Sequence, residues 1–79
     1  MPKLPQVRPE EVIRALQRLG FAEDRQVGSH KIMVKRTSDG RKLSVPVPMH
    51  KGKKTVRVGT LRSILDLAGV SPDEFLNAL

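Results

Sequence analysis

The stretch that decides the fold covers residues 28–48 and reads GSHKIMVKRTSDGRKLSVPVP. From residue 30 to residue 36, two lysines and a methionine alternate with Ile32 and Val34, and a similar alternation of apolar and other residues returns at 42–47. A period of two is typical of β-strands. Residues 37–40, TSDG, are a turn by composition. The stretch therefore predicts a β-hairpin.

A further strand, residues 21–27, is predicted before this hairpin, and residues 28–29 provide the turn that joins them. Two successive hairpins form a three-stranded antiparallel meander. Pro46 has no backbone N–H, so the last strand should be an edge strand or end there. Strict alternation places His30 on the same side of the sheet as Ile32 and Val34, which we expect to face the core.

A first helix is predicted ahead of the strands. Pro9 suits its first position, and Gly20 fits a left-handed cap at its end. In a Schellman ending, Phe21 would pack against Leu16. One face of this helix is apolar and consists of Val12, Ile13, Leu16 and Leu19.

Two more helices are predicted after a basic loop at 48–58. The first opens at residues 59–60 with Thr60 as its cap and stops at Gly69. Its apolar face consists of Leu61, Ile64, Leu65 and Ala68. The second is short and starts at Ser71, where residues 71–74 match a capping box with Val70 and Phe75 as a hydrophobic staple.

These elements predict one α+β domain over residues 1–79, in which residues 1–8 form an extended N-terminal arm and the helices cover one face of the sheet. The chain has 79 residues and no cysteine, so core packing alone holds the fold. The longest apolar run is three residues, far short of a membrane span or a signal-peptide core. We therefore expect a soluble, cytoplasmic protein.

The formal net charge of +7 is concentrated in the middle of the chain. Residues 25–62 carry eleven lysines and arginines against one aspartate, a net charge of +10, whereas residues 1–24 are neutral and residues 63–79 carry −3. A basic surface on so small a domain indicates a polyanionic partner, with nucleic acid first. Only two aromatic residues are present, Phe21 and Phe75, and both are assigned to helix packing, so a base-stacking platform is not expected.

His30 is the first candidate for chemistry. Imidazole titrates near neutral pH in its unperturbed state, so it can take a proton from a 2′-hydroxyl or give one to a departing 5′-oxygen. Ser29 and Lys31 could hydrogen-bond or neutralise a phosphate. The alternative is a histidine that starts a strand and packs at its rim.

His50 is the second candidate, as a proton-transfer group or a phosphate contact; the alternative is a solvated loop histidine. The neighbouring bases Lys51, Lys53, Lys54 and Arg57 are predicted phosphate contacts. Two histidines without cysteines or a local carboxylate cluster make a poor metal set, so we expect neither a metal nor another cofactor.

Several segments together resemble the HicA toxin family. They are GF at 20–21, RQVGSH at 25–30, VPVP at 45–48 followed by His50, GTLRSIL at 59–65, AG at 68–69 and FL at 75–76. They occur in the family's order and spacing from about Val12 to the C-terminus. Many members carry a second histidine directly after the Gly-Ser-His motif, where this chain has Lys31.

The resemblance implies a fold similar to double-stranded-RNA-binding domains and a toxin that cleaves mRNA without a ribosome. It also implies neutralisation by a HicB-like antitoxin and assigns the essential role to the histidine of the Gly-Ser-His motif, His30. From this we expect a metal-independent endoribonuclease, monomeric when free and not associated with a membrane.

Two other functions remain open from the residues. One is a non-catalytic RNA-binding module of the same fold, in which the basic segment binds phosphates. The other is a DNA-binding helix-turn-helix over residues 60–79, although residues 61–79 carry a single base, Arg62, which is a poor match to a DNA-reading helix.

Overall fold

The computed structural model describes residues 3–49 and 55–79. Within them the element order is helix, three strands, helix, helix, as predicted. The elements are α1 (Pro9–Arg18), β1 (Ala22–Val27), β2 (His30–Arg36), β3 (Lys42–Pro48), α2 (Val58–Ala68) and α3 (Pro72–Ala78).

The three strands form one antiparallel sheet in the order β1-β2-β3. Met33, at the centre of β2, lies opposite Val45 on β3 and Glu23 on β1. The register of β1 shifts between Glu23 and Arg25, where one extra residue forms a bulge. β3 is an edge strand, so Pro46 needs no ladder donor and its predicted position is confirmed.

All three helices belong to one side of this sheet, which we call the covered face. Met33, Val45 and Val47 are completely buried there among side chains of the helices, and α1 and α2 both pack on β3. The strand positions that share the covered face are Glu23, Gln26, Lys31, Met33, Lys35, Leu43, Val45 and Val47.

The other side, which we call the open face, carries His30, Ile32 and Val34, so the prediction that this side faces the core is wrong. Its positions are Ala22, Arg25, Val27, His30, Ile32, Val34, Arg36, Lys42, Ser44, Pro46 and Pro48, and none of them is buried. The reason is pairing: β3 presents Val45 and Val47 to the helices, and the antiparallel register then aligns Met33 with them.

The end of α1 has the predicted Schellman geometry. The amide of Phe21 donates to the carbonyl of Leu16 at 2.9 Å, and Gly20, at a φ of 99°, donates to Gln17 at 3.1 Å. Lys35 reaches this helix end from the covered face. Its Nζ donates to the Leu19 carbonyl at 2.9 Å and lies 5.7 Å from the centre of the Phe21 ring.

The two later helices differ in how well their starts were predicted. α2 begins at Val58 with Arg57 as its N-cap, so the assignment of Thr60 as the cap is wrong. The Leu61 amide bonds to the Arg57 carbonyl at 2.8 Å, which draws Thr60 into the first turn. The α3 capping box is confirmed: Ser71 Oγ accepts from the Glu74 amide at 3.2 Å, and Glu74 Oε1 accepts from the Ser71 amide at 3.1 Å.

Residues 3–8 of the predicted N-terminal arm are packed onto the domain. Leu4 and Val7 are buried, and the carbonyl of Val7 accepts a hydrogen bond of 2.7 Å from the amide of Val56. The arm therefore contributes to the core beside the start of α2. In the part of the chain that the structure describes, no helix combines the length and the apolar composition needed to cross a membrane.

Candidate active site

His30 is the first residue of β2 and stands directly after a tight turn. Gly28 and Ser29 form this two-residue turn, and Gly28 has a φ of 58° at its first position, as type II′ hairpins require. A side chain at Gly28 would be strained whatever the space around it. The turn thereby brings His30 to one end of the sheet, between Val27 and Pro48 on the neighbouring strands.

The His30 ring is exposed on the open face. Its Nδ1 lies 3.5 Å from Ser29 Oγ, at the outer limit for a hydrogen bond. Among the described residues, Nε2 makes no hydrogen bond. An exposed imidazole with one nitrogen beside a hydroxyl and no hydrogen bond on the other among the described residues can accept or deliver a proton on a bound molecule.

Ser29 connects the turn to the end of β3. Its carbonyl accepts a hydrogen bond of 2.7 Å from the amide of Met49. Met49 lies within the predicted basic loop at 48–58 and is the last described residue before position 55. The hydrogen bond therefore fixes the end of β3 next to the residue that precedes His30.

Lys31 lies on the covered face and so points away from His30. Its Nζ is 3.4 Å from Glu23 Oε1, and the lysine side chain is only 25% exposed. The Glu23 carboxylate partly neutralises this ammonium. The structure thus brings Ser29 and His30 together and separates Lys31 from both.

The remaining predicted site residues are not located beside His30 by the structure. Arg57 is exposed at the N-cap of α2, on the helical side of the domain. The others, His50, Lys51, Lys53 and Lys54, lie outside the described residues.

The site residues predicted by name do not include the basic residues that share the open face with His30. Arg36 ends β2 and Lys42 begins β3, and the two are directly opposite each other at the far end of the sheet from His30. Arg25 lies nearer to His30, opposite Ile32, and its guanidinium contacts the Asp24 carboxylate. The signal that could have found Arg36 and Lys42 is the symmetry of the hairpin about Asp39.

The turn between β2 and β3 carries the one acidic residue of the central segment. A hydrogen bond from the Thr37 side chain, followed by contacts with Arg41, lowers the pKa of Asp39 below its ordinary value. The ionised carboxylate is matched by Arg41, whose Nε lies 2.9 Å from Asp39 Oδ2. The negative charge in this turn is therefore paired locally rather than with Arg36 or Lys42.

The chemistry available on the open face is proton transfer and anion binding. It offers an imidazole at one end and cationic side chains farther along. Within residues 3–49 and 55–79, no three histidine, aspartate or glutamate side chains are grouped so that they could hold a metal ion.

Comparison with protein families gives a match to the model described as HicA toxin of bacterial toxin-antitoxin, over residues 9–70. This span contains α1, the whole sheet and α2, and hence every residue of the open face. Among curated protein sequences, no match to the chain was found.

Proposed function

This chain belongs to the HicA toxin family of bacterial toxin–antitoxin systems, and from that premise we propose that it is a metal-independent endoribonuclease in which His30 is the catalytic acid–base residue. The family consists in general of toxins that act as ribonucleases on mRNA. The observation that carries the assignment to His30 is its exposed position at the end of the open face, on a surface with basic side chains.

The proposed reaction is attack of a ribose 2′-oxygen on the adjacent phosphorus. The 2′-hydroxyl gives up its proton, the new O–P bond closes a 2′,3′-cyclic phosphate, and the P–O5′ bond breaks. The departing 5′-oxygen takes up a proton and leaves as a 5′-hydroxyl. Atoms balance without a metal or another co-reactant, and one positioned proton-transfer group typically contributes about 10²- to 10⁴-fold.

His30 would serve one of these two proton transfers through Nε2, the nitrogen without a hydrogen bond among the described residues. Ser29 Oγ, 3.5 Å from Nδ1, can accept a hydrogen bond from that nitrogen and so favour one ring orientation. Basic side chains stabilise the charge that develops on the phosphate oxygens. Ser29, Lys51, Lys53 and Lys54 remain predicted RNA contacts, with His50 as the candidate second acid or base. Lys31 and Arg57 were predicted contacts as well, but they lie on the helical side, away from RNA bound on the open face.

The partner of the toxin would be a HicB-like antitoxin that covers His30 and the basic surface around it. An acidic or hydrogen-bonding partner there would remove RNA binding and proton transfer together. Because His30 is exposed, such a partner can reach it without unfolding the domain.

The test is cleavage of end-labelled RNA by His30→Ala in buffer containing EDTA. We expect the rate to fall by about 10²- to 10⁴-fold, and growth arrest on expression to disappear. The exposed ring contributes little packing, so the circular dichroism spectrum and urea midpoint should stay those of the parent. The products of the parent should carry 2′,3′-cyclic phosphate and 5′-hydroxyl ends.

His50→Ala is measured beside it as the test of the other histidine, since an unchanged rate and pH profile would exclude His50 as the complementary acid or base. A His30→Ala protein that folds and cleaves as fast as the parent would overturn the assignment. Loss of the parent's activity in EDTA would exclude the metal-independent mechanism. If the parent binds RNA without shortening it, the non-catalytic RNA-binding module replaces the nuclease.

A further inference from the structure

The open face has an ordered layout from one end of the sheet to the other. The row containing His30 also holds Val27 and Pro48. The next two rows centre on Ile32 and Val34 and are flanked mainly by small or apolar side chains, with Arg25 at the β1 edge. The last row pairs Arg36 with Lys42. A histidine and a cationic pair thus lie at opposite ends of a largely apolar strip.

The pair of Arg36 and Lys42 is costly for the isolated domain. Like charges directly opposite each other on neighbouring strands are destabilising. In the part of the chain that the structure describes, neither side chain has a carboxylate within ion-pair distance; Arg36 only donates a 3.4 Å hydrogen bond to the Gly40 carbonyl. A bound polyanion would relieve this repulsion, and phosphate oxygens suit the arginine fork.

The spacing fits a short RNA strand. His30 and Arg36 are six residues apart on one strand, which corresponds to about 20 Å at 3.3 Å per residue. A few nucleotides cover that length. A strand with its reacting 2′-hydroxyl at His30 can therefore place a more distant phosphate between Arg36 and Lys42.

The apolar middle of the face distinguishes unpaired from paired RNA. A duplex presents phosphates, ribose hydroxyls and base edges in its shallow groove, and these would lose hydration against Ile32 and Val34 without gaining hydrogen bonds. Unpaired bases instead offer flat surfaces that pack against apolar side chains. In-line attack by a 2′-oxygen also needs a backbone that can leave the helical conformation.

We propose that the open face is the substrate-binding surface and that it takes single-stranded RNA. Arg36 and Lys42 hold backbone phosphates at one end, Ile32 and Val34 pack against unpaired bases, and the reacting nucleotide lies at His30. This inference rests on the proposed nuclease function and extends it, because it separates the RNA surface from the helical side of the domain.

The experiment compares two double variants in the 79-residue chain carrying His30→Ala, which prevents cleavage during binding. Arg36→Gln with Lys42→Gln removes the open-face pair. Arg14→Gln with Arg62→Gln removes the same charge from exposed positions on α1 and α2. Binding of a short unstructured oligoribonucleotide and of a duplex of the same sequence is measured by fluorescence anisotropy at several salt concentrations.

We expect the open-face variant to bind the single strand at least tenfold more weakly than its parent. Loss of two phosphate contacts should reduce the slope of log K against log salt by about 1.4. The helix variant should keep most of its affinity and slope. Ile32→Ala should narrow the preference for single strand over duplex. Because Arg36 and Lys42 repel each other, their removal should leave the urea midpoint unchanged or raise it.

Several results would overturn the proposal. One is tighter binding of duplex than of single-stranded RNA, and another is an equal loss of RNA affinity in the helix variant. The third is an open-face variant that keeps its RNA affinity but is no longer neutralised by the antitoxin. The last result would assign the face to a protein partner. If the parent with His30 intact does not cleave RNA at all, the proposed nuclease function fails; cleavage with unchanged RNA binding by the open-face variant refutes the present inference alone.

Discussion

Both faces of strand β2 carry basic residues on either side of apolar ones, but the basic residues of the two faces have different surroundings. On the covered face, Lys31 and Lys35 flank Met33, and each ammonium has a partner within the domain, the Glu23 carboxylate and the Leu19 carbonyl. On the open face, His30 and Arg36 flank two half-buried aliphatic residues, and among the described residues neither has a carboxylate partner. Their contacts are long and exposed: Arg36 donates to the Gly40 carbonyl at 3.4 Å, and His30 Nδ1 lies 3.5 Å from Ser29 Oγ.

This difference teaches that charge alone does not identify a binding surface in a basic protein. Lysine can lay its aliphatic stem along the core while its ammonium finds a fixed partner. Such a lysine supports the fold and has little capacity left for a ligand. Exposed cations without a carboxylate partner, on a surface that no helix covers, are the better candidates for contacts with RNA.

The largest effect should come from truncating the centre of the covered face. Met33→Ala removes a side chain with no exposed surface and leaves a cavity, so we expect the free energy of unfolding to fall by about 2–5 kcal/mol. Ile32→Ala, one residue away on the open face, should cost less than about 1.5 kcal/mol because its side chain is only partly buried. Urea unfolding followed by circular dichroism measures both.

Equal losses for Met33→Ala and Ile32→Ala would contradict the assignment of the two faces. They would mean that Ile32 is covered by another part of the molecule. An RNA-binding assay on Ile32→Ala is the complementary measurement. This variant should lose less stability than Met33→Ala but should show a smaller preference for single-stranded over duplex RNA than the parent.

The order of the elements could be predicted from the sequence because its signals are local. Gly20, the Ser71 capping box and Pro46 each restrict the backbone at one position, and each acts there as expected. The start of α2 was misplaced because Thr60 has the chemistry of a cap, whereas Arg57, with no side-chain capping bond, occupies the position.

The sidedness of the sheet could not be predicted by counting apolar residues in β2. Ile32 and Val34 are two apolar residues against the single Met33, so counting apolar residues predicts that the open face is buried, which is wrong. Strand pairing determines which side is buried. Val45 and Val47 are the apolar, inward-facing residues of β3, and the antiparallel register places Met33 on the same side as these two valines. The exposure of His30 follows from the same pairing.

Smaller changes in stability and RNA affinity should distinguish Lys35 from Arg36, the neighbouring cations of β2. Lys35→Gln removes a charge-assisted hydrogen bond to the end of α1 and a contact with Phe21, and we expect a loss of about 1 kcal/mol in stability with RNA affinity retained. Arg36→Gln should show the reverse, with stability within about 0.5 kcal/mol of the parent and weaker RNA binding. Urea midpoints and anisotropy titrations on the same two proteins test the pair.

This distinction between Lys35 and Arg36 fails if the two variants show the same loss of RNA binding or the same loss of stability. If Lys35→Gln weakens RNA binding as much as Arg36→Gln does, the RNA contacts both faces of the sheet. If Arg36→Gln destabilises the domain as much as Lys35→Gln does, Arg36 has a structural role.

The smallest effect concerns the helical layer over the covered face and its response to acid. Hydrogen bonds from Ser71, first from its backbone amide and then from its hydroxyl, lower the pKa of Glu74 below its ordinary value of 4.5. The unfolded chain then binds the proton more readily than the folded chain, so stability rises with pH. This contribution is fully present above 4.5 and disappears as the pH falls through the lower folded-state pKa.

Glu74→Gln should therefore be less stable than the parent near neutral pH, and the gap should shrink as the pH is lowered through the acid range. Asp73→Asn removes the same charge from the same helical turn but no capping bond, so its gap to the parent should change less with pH. Urea midpoints measured from pH 7 down to pH 3 compare the three proteins. A Glu74→Gln gap that stays constant across this range would show that the carboxylate charge contributes nothing to the cap, and the acid response of the helical layer would then have to come from elsewhere.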